Sequence, residues 1–139
     1  MKLPYRQLEH TADIKVEIEG HDWPQLLGNA AFCVFDLMLD SGRIRDAECR
    51  EVEIASPDAS ELLLDWLREV LYLFSAHGYA TRRVAFADVS PTHLKARLYG
   101  ERFDSERHRL RLEIKSPTYH EYRVEQTPDG WRATVLFDV

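Results

Sequence analysis

The segment that decides the fold class of this chain is residues 58–78, DASELLLDWLREVLYLFSAHG. Asp58 followed three residues later by Glu61 has the spacing of a capping box, and Gly78 can end a helix in a left-handed turn. The apolar residues between them recur at helical spacing. They are Leu62, Leu63, Trp66, Leu67, Val70, Leu71 and Phe74. The pattern predicts a long amphipathic helix with one face that other elements must cover.

A second helix and two strands are predicted before this segment. Residues 15–19 and 51–55 alternate between apolar and polar side chains, which is typical of half-buried strands. Between them Asp22 can cap a helix that has Pro24 in its first turn. The inner face of that helix comprises Trp23, Leu26, Leu27, Ala30, Ala31, Val34, Phe35 and Met38. Cys33 lies in the same apolar stretch and is expected to be buried and unreactive.

Beyond residue 79 the hydrophobic period changes from 3.6 to 2, which predicts strands to the end of the chain. One of these strands is expected at residues 110–114, and the motif at residues 128–130, PDG, predicts a hairpin turn between the last two. Two helices with one apolar face each and about six strands favour a single α+β domain over residues 1–139. Both helices are expected to pack on one face of a mostly antiparallel sheet.

Composition limits the classes of partner and compartment. The 24 acidic residues against 18 lysines and arginines give a formal net charge of −6, which opposes binding to bare nucleic acid because that affinity comes mainly from phosphate neutralisation. RNA is therefore expected to be reached only indirectly, through a protein partner, or through one local basic patch. The start of the chain lacks the apolar run of a signal peptide, and no segment approaches the roughly 18 apolar residues of a membrane span. A cytoplasmic protein without membrane contact is the prediction.

Polar residues in three stretches are not explained by helix caps or by strand alternation. The stretches are residues 9–13, residues 115–120 and residues 137–139. The sequence contains no glycine-rich phosphate loop, GxSxG, HExxH or EF-hand loop that would indicate a standard catalytic site.

Five stretches together resemble the archease family, in the family's order and over essentially the whole chain. They are residues 8–13 (LEHTAD), residues 61–74 (ELLLDWL running into LYLF), residues 100–104 (GERFD), Lys115 with residues 118–120 (TYH), and residues 130–139 (GWRATVLFDV). Two positions depart from the family's pattern. Arg68 stands where a smaller polar residue is expected, and Glu121 stands where glycine is common.

The resemblance implies a small accessory protein, not an enzyme, that activates the GTP-dependent RNA ligase RtcB. That ligase joins a 3′-phosphate or cyclic phosphate end to a 5′-hydroxyl end in tRNA splicing and RNA repair. The accessory protein would promote guanylation of the ligase and multiple turnover through transient contact. The resemblance further implies a bound divalent cation, with calcium as the usual occupant. Asp13, Asp138 and Val139 would be its ligands, and Lys115 would be a functional residue beside them.

The residues themselves are compatible with that assignment. Asp13 and Asp138 are distant in sequence, but both lie at predicted strand ends that a closed sheet could bring together. Two carboxylates about 4 Å apart would repel by roughly 4 kcal/mol at an effective dielectric near 20, which a cation or a raised pKa must relieve. Calcium and magnesium take oxygen ligands, which both aspartates and the carboxylate or carbonyl of Val139 provide. Lys115 would then hold an anionic group near the metal.

Each of these residues also has a simpler interpretation. Asp13 can be a turn or strand-end residue, Asp138 can be merely solvated, and Lys115 can protect a strand edge. His10 and His120 can line the site or make local hydrogen bonds in turns. The basic run of residues 107–111, RHRLR, can be a docking face for RNA or the ligase, although a solvated strand face is the favoured interpretation.

Two other functions remain open from the sequence. The chain could be a metal-dependent phosphoesterase in which Asp13 and Asp138 activate water. It could also be a general chaperone or adaptor whose sheet and acidic end only provide a binding surface.

Overall fold

The computed structural model describes residues 3–8 and 13–139, which form three helices and seven strands. The helices are α1 (Trp23–Met38), α2 (Ala59–His77) and the short α3 (Ser105–His108), with a 3₁₀ turn at Ser41–Arg43. The strands are β1 (Tyr5–Leu8), β2 (Ile14–Gly20), β3 (Glu48–Ala55), β4 (Tyr79–Val89), β5 (His93–Arg102), β6 (Ser116–Thr127) and β7 (Gly130–Asp138). No helix in this part of the chain is both long and apolar enough to cross a membrane.

Both long helices begin, and α2 also ends, at the residues that the sequence indicates. The Asp22 carboxylate accepts a hydrogen bond from the Gln25 N–H at 2.8 Å at the start of α1. The Asp58 carboxylate accepts one from the Glu61 N–H at 2.8 Å at the start of α2. Gly78 ends α2 with φ 65° and ψ 28°, a left-handed conformation that glycine adopts at low cost. Local capping chemistry therefore determines the start of both helices and the end of α2.

The strands form two antiparallel sheets. β1, β2, β7 and β6 lie side by side in the first sheet, and β3, β5 and β4 form the second. Each long helix contacts strands of both sheets as well as the other helix. The α+β class with antiparallel strands is confirmed. The single sheet of about six strands is instead divided in two, because alternation predicts strands without saying which strands pair.

The core lies where the helices meet the sheets. Trp66 and Phe35 are among its largest fully buried side chains, and the Trp66 indole N–H donates to the Leu27 carbonyl oxygen at 2.8 Å. Cys33 is fully buried on α1, as predicted, and burial raises the pKa of its thiol. A protonated, enclosed thiol is a poor nucleophile.

The predicted strand at residues 110–114 is wrong. These residues form an irregular segment between α3 and β6 that crosses to α1, where the Arg111 N–H donates to the Met38 carbonyl oxygen at 2.7 Å. Ile114 is buried in the core and Leu112 packs partly against it, whereas Leu110 is 46% exposed, so the alternation here does not mark a sheet ladder. Lys115 consequently precedes β6 and does not end a strand.

A buried carboxylate organises the segment around α3. Glu101 is 7% exposed and accepts hydrogen bonds from the Arg45 N–H at 2.8 Å and from the Arg107 guanidinium at 2.7 Å. His108, fully buried, lies with its Nε2 2.9 Å from the Glu101 carboxylate, and its Nδ1 accepts from the Asp104 N–H at 2.9 Å. Because Nδ1 accepts, the neutral ring carries its proton on Nε2 and donates it to Glu101.

The basic run at residues 107–111 is thus not a strand face. Arg107 and His108 belong to α3 and point to Glu101, and Arg109 has a left-handed backbone with φ 55°. The Arg111 guanidinium donates to the Asp36 carbonyl oxygen at 2.9 Å. Three of the run's four polar side chains therefore bond to other parts of the fold, although Arg111 stays exposed, and charge alone does not reveal these contacts.

Gly100, beside Glu101, is expected to tolerate no larger residue. A Cβ at this position would lie 1.9 Å from the Ala80 carbonyl oxygen, which belongs to the paired strand β4 and can move only with its backbone. Gly100→Ala should lower the free energy of unfolding by about 1–3 kcal/mol, measured by urea denaturation. The matched control is Gly42→Ala, whose added Cβ would have no neighbour within 4 Å. Equal stability of the two variants would contradict this account.

Candidate functional site

Strand register gathers three of the predicted site residues at one end of the four-stranded sheet. β2 and β7 are antiparallel, with Ile14 opposite Phe137. Asp13 directly precedes Ile14, and Asp138 directly follows Phe137. The two aspartates therefore lie at the same end of neighbouring strands. Neighbouring strands lie about 4.8 Å apart. β6 begins on the other side of β7, with Ser116 opposite Asp138.

Lys115 joins the same sheet end through its backbone. Its N–H donates to the Asp138 carbonyl oxygen at 2.8 Å, which continues the β6–β7 ladder by one residue. Lys115 and Asp138 are exposed, Asp13 is half-buried, and Val139 is 46% exposed. Within residues 3–8 and 13–139, no hydrogen bond or ion pair engages the side chains of Asp13, Asp138 or Lys115. Asp13, Asp138 and Lys115 therefore occupy adjacent backbone positions at this end of the sheet.

The donor set of this sheet end suits a hard cation only in part. Asp13 and Asp138 supply carboxylate oxygens, and Val139 supplies main-chain oxygen. The described part of the chain contains no group of three or more histidine, cysteine or acidic side chains that could hold a metal ion. Because calcium takes six to eight oxygens, these residues would leave positions for water or for a partner's oxygen atoms.

His120 lies close to this end, in an irregularity of β6. Thr118 is opposite Leu136 and Arg123 is opposite Thr134, so five steps along β6 match two steps along β7 and the extra residues bulge out. His120 and Glu121 are exposed members of this bulge and both interact with other residues. His10, the other predicted lining residue, lies outside the described residues.

Glu121 explains one departure from the family's pattern. Its φ of 56° is left-handed, a conformation that favours glycine and costs other residues about 1 kcal/mol or more. Its carboxylate lies 3.2 Å from the Lys15 ammonium group on β2. Lys15 is opposite Leu136, so this ion pair reaches across β7 and fastens the bulge to the sheet two residues from Asp13.

Arg68, the second departure, contacts the same bulge. Its guanidinium carbon lies 5.4 Å from the centroid of the Tyr119 ring, and its Nη1 donates to Asp65 at 3.1 Å. The Tyr119 hydroxyl donates to the Glu61 carboxylate at 3.0 Å, while Tyr122 donates to the Ser60 carbonyl oxygen at 2.7 Å. Sequence reasoning assigned Tyr119 no role, since only the fold shows that its side chain lies on α2.

Comparison with solved structures places this fold in one class. The solution structure of protein 1598 from Methanobacterium thermoautotrophicum is similar with a TM-score of 0.81 and 29% identity, covering 99% of this chain and 100% of that one. The crystal structure of an archease, a possible chaperone, from Thermotoga maritima is similar with a TM-score of 0.64 and 26% identity, covering 96% of each chain.

The sequence comparisons define the family. Residues 5–139 match the Archease protein family (MTH1598/TM1083). The chain is 37% identical to the protein archease of Methanosarcina acetivorans, over 97% of this chain and 95% of that protein, and 35% identical to that of Thermococcus gammatolerans. The chain therefore belongs to the archease family, and the resemblance seen in its motifs is confirmed.

Proposed function

We propose that this chain is an accessory protein that activates a GTP-dependent RNA ligase of the RtcB type. It would promote guanylation of the ligase and multiple turnover in tRNA splicing and RNA repair, and would catalyse no reaction itself. Contact with the ligase is transient, and RNA is met only through the ligase. The observation that carries the proposal is the register that sets Asp13, Asp138 and Lys115 at one exposed sheet end of an archease-family fold.

The cation belongs to this proposal. Asp13, Asp138 and a main-chain oxygen of Val139 would hold a divalent ion, calcium by donor chemistry, whose charge relieves the repulsion between the two carboxylates. When bound, the ion supplies a Lewis-acidic positive charge at the surface. The coordination positions of the ion that this chain leaves unfilled would be available to oxygen atoms of the ligase.

Lys115 gives the site its second function. Its backbone is fastened to Asp138, so its exposed side chain starts beside the acidic pair. A lysine in this position can attract a phosphate or a carboxylate of the ligase or its nucleotide. Activation then follows if these contacts are stronger in the ligase state that accepts GMP, since a partner shifts an equilibrium only by its differential affinity.

A chaperone function is the second candidate, because the similar Thermotoga maritima archease is named a possible chaperone. Under this alternative the acidic end would be only a binding surface, and the charge of Asp13 would matter little. His10 and His120, proposed to line the site, would also have no role in activation.

The test is the rate of ligase guanylation with and without substoichiometric amounts of this chain. We expect faster guanylation and repeated rounds of RNA joining when it is present. An unchanged rate at every concentration would refute the activator proposal. Hydrolysis of a phosphoester by the purified chain with divalent ions, lost in Asp13→Ala, would favour a phosphoesterase instead.

A further inference from the structure

The exposed face of α2 and the β6 bulge form one continuous surface. Glu61, Asp65, Arg68 and Tyr72 are spaced by four, three and four residues and so follow one stripe along the helix. Tyr119 lies across that stripe, bonded to Glu61 and stacked on Arg68. We call these five residues the α2–Tyr119 surface.

This surface presents two large aromatic rings to solvent. Tyr119 is 61% exposed and Tyr72 is 54% exposed, the two highest values among the large hydrophobic side chains of residues 3–8 and 13–139. Neither ring moves freely, because Tyr119 is held by Glu61 and Arg68, and Tyr72 packs edge-on against His77 with ring centroids 5.4 Å apart. An exposed ring that is already ordered loses little entropy when a partner covers it, which is a property of interface hot spots.

The surface is also acidic. The sequence of α2 carries three acidic residues and one arginine, and the helix begins after a further acidic residue, Asp58. The charge of Arg68 is offset by Asp65, 3.1 Å away. A further acidic residue, Asp138, is opposite Ser116, which lies three residues before Tyr119 on β6.

We infer that the α2–Tyr119 surface is the docking surface for a positively charged face of a protein partner. The inference rests on the proposed function and identifies how the ligase would be held. An enzyme that binds RNA must present lysine and arginine side chains to phosphates, so its surface is complementary to acidic groups around exposed tyrosines. Tyrosine is among the residues that dominate such interfaces.

A protein fits this surface better than RNA does. Single-stranded RNA stacks on aromatic rings within a positively charged groove, whereas Tyr119 here donates to the Glu61 carboxylate and lies against Arg68, which is paired with Asp65. The one arginine in the patch is already paired. Stacked bases would bring their phosphates next to carboxylates.

Four variants test the inference by titration of the ligase, with both calorimetric binding and guanylation measured. Tyr119→Ala and Glu69→Lys, at the border of the stripe, should each raise the dissociation constant about tenfold. Tyr119→Phe, which keeps the ring, should bind nearly as well as the parent. Glu51→Lys is the matched control, because it makes the same charge reversal on the three-stranded sheet, where its side chain is 66% exposed.

The outcomes separate this inference from the proposed function. If the inference holds, higher concentrations of Tyr119→Ala or Glu69→Lys are needed to activate the ligase, but both variants reach the parent's maximal guanylation rate. Binding of the parent to the ligase then also weakens as salt is added. If the parent activates while these variants bind as it does, the docking surface lies elsewhere and the activator role stands. If the parent neither binds nor activates, both proposals fall. If the chain alone bound single-stranded RNA and Tyr119→Ala abolished that binding, the ligand of this surface would be RNA and not a protein.

Discussion

Stimulation of ligase guanylation is expected to fall by about tenfold or more when Asp13 is replaced by alanine. The change removes one of two carboxylates at adjacent strand ends and leaves Asp138 and Lys115 in place. Because Asp13 makes no side-chain hydrogen bond or ion pair in the described structure, the fold should not suffer. Maximal stimulation at saturating concentration is the quantity to compare, since it is insensitive to docking affinity.

A matched control and a second readout make this prediction sharper. Asp88→Ala removes a carboxylate of 72% exposure from the three-stranded sheet and should stimulate as the parent does. The melting temperature of the parent should rise when calcium is added, since a ligand bound only by the native state stabilises it. Asp13→Ala should lose that rise. Stimulation by Asp13→Ala equal to the parent's would rule out the cation-site mechanism and favour an adaptor.

Glu101→Gln is expected to lower the free energy of unfolding by about 3 kcal/mol. The carboxylate accepts from Arg45, Arg107 and His108 in a site that is 7% exposed. A glutamine of the same shape directs an N–H group at one of these donors, leaving a buried donor without an acceptor. Urea denaturation at pH 7 measures the loss, and Glu53→Gln, which changes an exposed contact to His93, should leave the midpoint nearly unaltered.

The same carboxylate predicts how stability depends on pH. Burial raises the pKa of Glu101, but the hydrogen bonds from His108, Arg45 and Arg107 outweigh it and hold the pKa at about 2, below the ordinary value of 4.5. A group with a depressed pKa stabilises the fold above its unfolded pKa and loses that contribution as pH falls. The advantage of the parent over Glu101→Gln should therefore be complete above pH 4.5 and shrink toward pH 2. A difference that stays constant over this range would show that the pKa of Glu101 is not depressed in the native state.

The surroundings of Glu101 also account for the family motif at residues 100–104. In residues 100–104, Gly100 permits close approach to β4, Glu101 binds α3, and Phe103 packs against Phe74 with ring centroids 5.4 Å apart. Asp104 accepts from two backbone N–H groups at the start of α3. The motif is thus structural, and its residues do not belong to the candidate site.

Local chemistry in the sequence was sufficient for the elements whose signals are short-range. The caps of α1 and α2, the left-handed end at Gly78 and the turn before β7 all depend on residues within a few positions of one another. The family motifs named Asp13, Asp138 and Lys115 as site residues, and strand register sets these three at one sheet end.

Features that depend on contacts between residues far apart in the sequence were decided only by the tertiary structure. Alternation at residues 110–114 has the same period in a strand and in a loop. In the structure the Arg111 N–H bonds to the Met38 carbonyl oxygen and not to a neighbouring strand. The burial of His108 requires Glu101 from another element, and the exposed ring of Tyr119 requires α2 beneath it. A side chain's surroundings are set by parts of the chain that local sequence does not specify, so charge and periodicity by themselves could not reveal them.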